Sequence, residues 1–218
     1  MHTCIHTQKG ETMKTIAILS GKGGAGKTTL AVHLGVAAEA AGHTTAIIDL
    51  DPQASALTWK DNRENDTPAV VSAQASRLPQ LLKAASDSGA DIVFIDTAPH
   101  SEATSLAAAR NAELLLIPCR PAILDLHAIG ATVEIARLAD VPAIVILNAV
   151  PARSTLADEA RAAINSYQIE TAPCQLGQRI AFVHSLTAGL TAQEYEPKGK
   201  AANEINELYT YIEKKIGA

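Results

Sequence analysis

The run Gly21-Lys22-Gly23-Gly24-Ala25-Gly26-Lys27-Thr28-Thr29 constrains this chain more than any other stretch. It fits G-x-x-x-x-G-K-[ST], comes after the apolar segment Thr15-Ile16-Ala17-Ile18-Leu19 and precedes a helix-compatible stretch from Thr28 to Ala41. Strand, Gly-rich loop and helix in that order make a phosphate cradle. Glycines let the backbone curl so that successive N–H groups point inward. The first turn of the helix adds unpaired N–H groups and the positive end of its dipole. Lys27 then neutralises charge on β- and γ-phosphates, and the Thr28 hydroxyl ligates Mg²⁺. A Gly-rich turn that happens to precede a helix does not account for this full agreement, so the chain is expected to bind a nucleotide.

Short apolar runs alternate with amphipathic stretches along the rest of the chain. Strands are expected at Thr15–Leu19, Thr45–Ile48, Ala69–Ser72, Ile92–Ile95, Leu114–Ile117, Ala143–Leu147 and Ile169–Thr171. Helices are expected near Thr28–Ala41, Ser55–Asn62, Leu78–Ser86, Glu102–Arg110, Leu126–Leu138, Leu156–Tyr167, Arg179–Ala188 and Ala201–Ile216. Continuous apolar strands separated by helices predict an α/β fold, a doubly wound and mostly parallel sheet with helices on both faces. Aromatics make up only 3% of the 218 residues, so the core must be built from Ala, Val, Ile and Leu. No internal repeat or linker marks a second domain. Residues 13–218 read as one domain, with 1–12 as a loose polar extension ahead of it.

In such a sheet, ligands sit beyond the carboxyl ends of the strands. The polar residues collected there include Asp49-Leu50-Asp51-Pro52-Gln53, Asp96-Thr97-Ala98-Pro99, Asn148 and Pro173. Asp96 closes the run Ile92-Val93-Phe94-Ile95, where an acid beside a P-loop holds Mg²⁺ directly or through water; a helix cap or a lysine partner is the plainer alternative. Asp49 and Asp51 lie two apart at a mouth that breaks at Pro52. One can tie down the metal's water shell while the other orients an attacking water. Alternatively, Asp51 simply starts the turn.

Other chemistries find little support. Cys4, Cys119 and Cys174 show no C-x-x-C spacing, so a disulfide framework, a zinc site or an iron–sulfur cluster is not expected, and a reducing cytoplasmic setting fits. The seven histidines show no ligand spacing, and there is no G-x-S-x-G motif. No apolar run approaches the roughly 18 residues of a membrane span. The formal charge of -5 argues against a uniformly basic nucleic-acid binder but leaves room for a basic patch on one face.

The loop carries a second lysine, Lys22, at its start. With Asp49-Leu50-Asp51-Pro52-Gln53, Asp96-Thr97-Ala98-Pro99 and Trp59, it resembles the ParA/MinD family of deviant Walker P-loop ATPases, most of all the small ParA proteins that partition plasmids or position cargo. The resemblance implies an ATPase that forms a homodimer with ATP, with Lys22 reaching across to the partner's nucleotide as an arginine finger would. It also implies that Gly23, Gly24, Ala25, Gly26, Lys27, Thr28 and Thr29 hold ATP or ADP. Thr28, Asp49 and Asp96 would serve Mg²⁺, and Asp51 would position the hydrolytic water. Asn148 would contact the adenine, with Pro173 and the stretch after it walling the base. The segment Asp96–Pro99 and the turn at Arg120-Pro121 resemble parts that respond to the γ-phosphate, and Asp125 sits where such proteins carry an acid in the dimer interface.

Such dimers bind DNA without sequence preference, and a ParB-like or other cargo-bound activator stimulates slow hydrolysis. Nucleoid association is implied as well, with no operator-reading helix-turn-helix ahead of the P-loop. The candidate DNA contacts are Arg153, Arg161, Arg179, Lys198, Lys200, Lys214 and Lys215, which plain solvated helix faces would equally explain. The rival is a MinD-like membrane switch. Ile205, Leu208, Tyr209, Ile212 and Ile216 form an apolar stripe beside Lys214 and Lys215 that would suit anionic lipid. Its spacing is also that of a helix covering a sheet, which is the favoured reading.

Overall fold

A computed structural model describes residues 12–218; Cys4 and the expected extension, apart from Thr12, lie outside the described residues. Seven strands occur: β1 (Lys14–Ile18), β2 (Thr45–Asp49), β3 (Ala69–Ser72), β4 (Ile92–Asp96), β5 (Leu114–Cys119), β6 (Ala143–Val150) and β7 (Glu170–Gly177). They form one sheet in the order β3-β2-β4-β1-β5-β6-β7, with every neighbouring pair parallel. The helices are α1 (Lys27–Ala40), α2 (Ser55–Asp61), α3 (Leu78–Asp87), α4 (Glu102–Ala109), α5 (Ile123–Ala139), α6 (Leu156–Asn165), α7 (Ile180–Thr187), α8 (Ala192–Tyr195) and α9 (Lys200–Ile216).

The period-2 geometry of the strands explains the two-sided core. In β1, Ile16 and Ile18 face one layer and Ala17 and the adjoining Leu19 face the other. The first layer joins Ile47, Phe94, Leu116 and Ile146 to α1, α2, α7 and α9. Across the sheet, Ile48, Val93, Ile95 and Leu115 meet α3, α4 and α5, while Ile117, Val145 and Leu147 meet α5 and α6. Helices thus cover both faces, as the apolar runs require. Central β1 lies between β4 and β5, so its loop opens where the strand order reverses.

Two differences from the sequence expectation concern the C-terminal third. β7 does not stop at Thr171 but runs through Pro173 to Gly177, with register shifts against β6. An edge strand tolerates proline because it needs no second ladder partner. The alternation Ala172, Cys174, Leu176, all buried beside exposed Pro173, is the period-2 signal that continues past the proline. The short helix α8 is also absent from the expected elements; the Thr191 and Glu194 side chains close a capping box around it.

Helix α9 settles the question of its stripe. Ile205, Leu208, Tyr209, Ile212 and Ile216 are all buried against β7 and α1, in the same layer that packs the P-loop helix. Among the described residues no helix is long and apolar enough to cross a membrane.

His33, fully buried in α1, links this layer to the site. Its Nδ1 lies 2.7 Å from the Thr29 carbonyl and so carries the proton, while Nε2 accepts the Ala192 N–H at 3.0 Å. Phe182 stands edge-on to the ring with centroids 5.1 Å apart. Burial pushes the imidazole pKa down to about 4, against the usual 6.5. The unfolded chain therefore binds more protons between these values. His33 contributes a stability that is complete above about pH 6.5 and is lost as pH falls toward 4. Melting measured from pH 7.5 to 4.5 should show the wild type losing stability more steeply than His33→Gln, by on the order of 3 kcal/mol at the acid end. Parallel curves would remove His33 as the cause.

Candidate active site

The loop after β1 leads into α1 through Gly26, whose φ of 97° lies in the left-handed region. No side chain caps α1 and no acid sits in its first turn, so its leading N–H groups remain open to an anion. A Cβ on Gly26 would come within 2.2 Å of Asn148 Nδ2. That amide donates to the Ala25 carbonyl at 2.7 Å, and its Oδ1 accepts the Ala149 N–H at 2.8 Å. Asn148 therefore ties the end of β6 to the phosphate loop, in addition to standing beside the expected base position. Ala149 adopts a left-handed φ of 51° to allow this; Ala54 and His100, on the loops after β2 and β4, are left-handed as well.

Two lysines of the loop take opposite courses. Lys27 is only 7% exposed and its Nζ lies 3.4 Å from the Ser20 carbonyl, inside the loop. Burial lowers its pKa, with Asp96 and then Asp51 opposing that shift. Lys22 is instead 39% exposed at its side chain, and its Nζ lies 3.9 Å from Asp125 in the first turn of α5.

The acids divide similarly. Thr28 Oγ1 donates to Asp96 Oδ2 at 2.6 Å, while the buried Asp96 Oδ1 has no partner. Burial, above all, pushes the Asp96 pKa up to about 7. An orphaned carboxylate oxygen beside a P-loop hydroxyl suits a magnesium ion, which takes one or two protein groups and completes its shell with phosphate and water. Among the described residues no three His, Cys, Asp or Glu side chains form a metal cluster.

Asp49 stands in register beside Asp96, and its two oxygens accept the N–H groups of Asp51 (3.0 Å) and Ala56 (2.9 Å), so it also shapes the loop and the start of α2 while each oxygen keeps a lone pair. Asp51 accepts the Gln53 N–H at 2.9 Å through Oδ1, leaving Oδ2 toward a cavity of about 470 Å³ bounded by Pro52, Ala98, Pro99 and Ser101.

Pro173 lies mid-strand and exposed, and the stretch after it is what lines the cleft, at Gly177 and Gln178. A second cavity of about 460 Å³ runs from Gly24, Gly26 and Thr29 past Asn148 to Gly177, Gln178 and Phe182. Leu156 and Val183 border it while 40% and 59% exposed. In the sequence Arg120 stands out only as part of a turn, yet its side chain lines this same cavity.

Comparison with known proteins agrees with this fold. The model of the CobQ/CobB/MinD/ParA nucleotide binding domain matches residues 16–190, which hold the loop, both acidic strand ends and Asn148. The chain belongs to that family. It is 40% identical over 124 residues to the Maintenance of carboxysome distribution protein A of Gloeobacter kilaueensis, covering 56% of either chain. The chain spans about half the length of the first curated relatives it matches. Solved structures share the fold. An McdA variant of Cyanothece in complex with ATP superposes with a TM-score of 0.78 at 19% identity, over 95% of this chain and 98% of that one. The septum site-determining protein MinD of Pyrococcus horikoshii, complexed with Mg-ADP, gives 0.76 at 19% identity over 94% and 98%.

Gly26→Ala tests the close approach in this family domain. The added methyl meets Asn148 and also forces alanine into a left-handed φ, at a cost of about 1–3 kcal/mol. The variant should melt earlier and lose stabilisation by Mg·ADP in a thermal-shift assay. Stabilisation equal to wild type would show that the loop does not need this contact.

Proposed function

We propose that the chain is an ATP-dependent dimerising switch that hydrolyses ATP slowly and positions or partitions DNA or other cargo. The opposite disposition of the two loop lysines carries this reading. Lys27 is buried within its own phosphate cradle, whereas Lys22 is held at Asp125, outside it and 39% exposed at the side chain. A second cation kept out of its own site but at the surface has its use in the site of a second copy.

In this mechanism the loop N–H groups and Lys27 hold the phosphate chain. Thr28 and Asp96 hold Mg²⁺, which when bound draws charge from the β- and γ-oxygens. Asp51 orients a water whose oxygen attacks the γ-phosphorus as the bond to the β–γ bridging oxygen breaks, giving ADP and phosphate. The transition state spreads negative charge over the transferred group, and Lys22 of the partner subunit neutralises part of it. Hydrolysis then waits for dimerisation.

Binding of the paired protomers to nonspecific DNA, and release by a ParB-like or other activator on the cargo, complete the proposal. Three candidate basic residues are already engaged: Arg161 donates to the Ala172 and Pro173 carbonyls, Arg179 pairs with Glu204, and Lys215 pairs with Glu170. Lys200 and Lys214 stand at opposite ends of α9, about 21 Å apart at 1.5 Å per residue. Such scattered charge favours a surface assembled from two protomers. The membrane alternative relied on the α9 stripe, which is interior.

Light scattering with and without saturating Mg·ATP is the primary test. The wild type should become a dimer, with turnover per protomer rising with protein concentration. Lys22→Ala should still bind nucleotide but lose hydrolysis by about 10³-fold, and Asp51→Ala should remain an ATP-bound dimer. DNA retention should require ATP and weaken steeply between about 50 and 200 mM salt. A lone protomer under saturating Mg·ATP, with turnover indifferent to concentration, overturns the proposal.

A further inference from the structure

Arg120, at the end of β5, is exposed, and no carboxylate of the described residues lies within ion-pair distance of it. Its guanidinium nevertheless stands over the phosphate loop. A Cβ built on Gly24, itself left-handed at φ 72°, would lie 3.7 Å from Arg120 Nη2. The same side chain lines the cavity that joins Gly24 and Gly26 to Asn148 and Phe182.

The charge around the cleft gives this placement meaning. Asp49, Asp51 and Asp96 lie along one side, and Lys27 is the buried cation among them. Lys22 is drawn off toward Asp125. A protomer alone thus meets a polyanion with three carboxylates and one interior lysine. A planar guanidinium, always charged and able to give two parallel hydrogen bonds to phosphate oxygens, offsets that imbalance where lysine's point charge would do so less well. The Ser20 and Ala25 carbonyls already accept from Lys27 and Asn148, so neither needs Arg120.

We infer that Arg120 is a phosphate clamp acting within its own subunit, gripping the diphosphate portion that ADP and ATP share from the Gly24 side of the loop. This rests on the nucleotide reading above and deepens it by naming a contact outside the loop motif. It is distinct in role from Lys22, which acts on a partner's nucleotide. Arg120 should therefore set affinity for both nucleotides in the monomer, before any dimer forms.

The test measures binding of Mg·ADP, Mg·ATP and adenosine to wild type, Arg120→Gln and Arg120→Lys, by calorimetry and ligand-observed NMR, with melting of the nucleotide-free proteins alongside. Arg120→Gln should melt as wild type does and bind adenosine equally well. It should bind Mg·ADP and Mg·ATP about ten- to hundredfold more weakly, as expected for a lost charged hydrogen-bond pair, with Arg120→Lys in between. Unchanged Mg·ADP affinity in Arg120→Gln, including the case where only turnover falls, overturns the clamp. Equal loss for adenosine and ADP also overturns it, since that marks damage to the base pocket. Failure of the wild type itself to bind Mg·ADP sinks the nucleotide reading and the clamp together, and so is distinguishable from failure of the clamp alone.

Discussion

Opposite charges withdrawn from water at the centre of a parallel sheet govern this molecule. Lys27 and Asp96 are both buried at the mouth of β1 and β4, and each has its pKa moved by desolvation in the direction that disfavours its charge. Breaking up such a cluster is costly, and even intact it stabilises a fold poorly, because desolvation offsets much of the Coulombic gain. One oxygen of Asp96 is left without any partner. The protein holds this arrangement because the surrounding apolar layers overdetermine it. Ile16, Ile18, Ile95 and Phe94 fix the strands, and Thr97 Oγ1 locks the end of β4 to the Ile18 carbonyl at 2.8 Å. A site kept short of water and of partners is one in which an arriving anion and cation find strong interactions ready made.

The loops around this centre are stiff for identifiable reasons. Asn148 bolts β6 to the phosphate loop, Asp49 secures the Asp51 turn, and the Gly21 N–H approaches Thr132 Oγ1 of α5 at 3.4 Å. Ala54, His100 and Ala149 hold left-handed backbones at three of the strand ends. Strain of this kind persists only where neighbours enforce it; Ala54, His100, Ala149 and Arg153 carry it on the cleft side of the sheet, and Asp140 and Gln168 on the opposite side.

Much of this is legible in the sequence, because each element has a strong local signature. Seven apolar runs become seven strands of the described residues, and the loop motif lies in the span that the family domain matches. Legibility ends where function depends on contacts between distant residues. Asp49 and Asp51 look alike in sequence, yet only the fold shows that both oxygens of Asp49, but one of Asp51, accept backbone N–H groups. Pro173 reads as a strand terminator, whereas an edge position lets the chain continue to Gly177. His33 carries no motif, and Arg120 stands out only through the turn it forms with Pro121. One acquires its role from Ala192, 159 residues away, and the other from its approach to Gly24.

The burial of α9 against α1 sets an order on synthesis. The apolar face of α1 is made about 160 residues before the helix that covers it. At about 5–20 residues per second, that interval is about 8 to 30 seconds. Until Ile205, Leu208 and Ile212 arrive, the nascent chain carries a half-open layer beside its phosphate loop. The layer that supports the cradle is therefore completed well after the motif itself has been made.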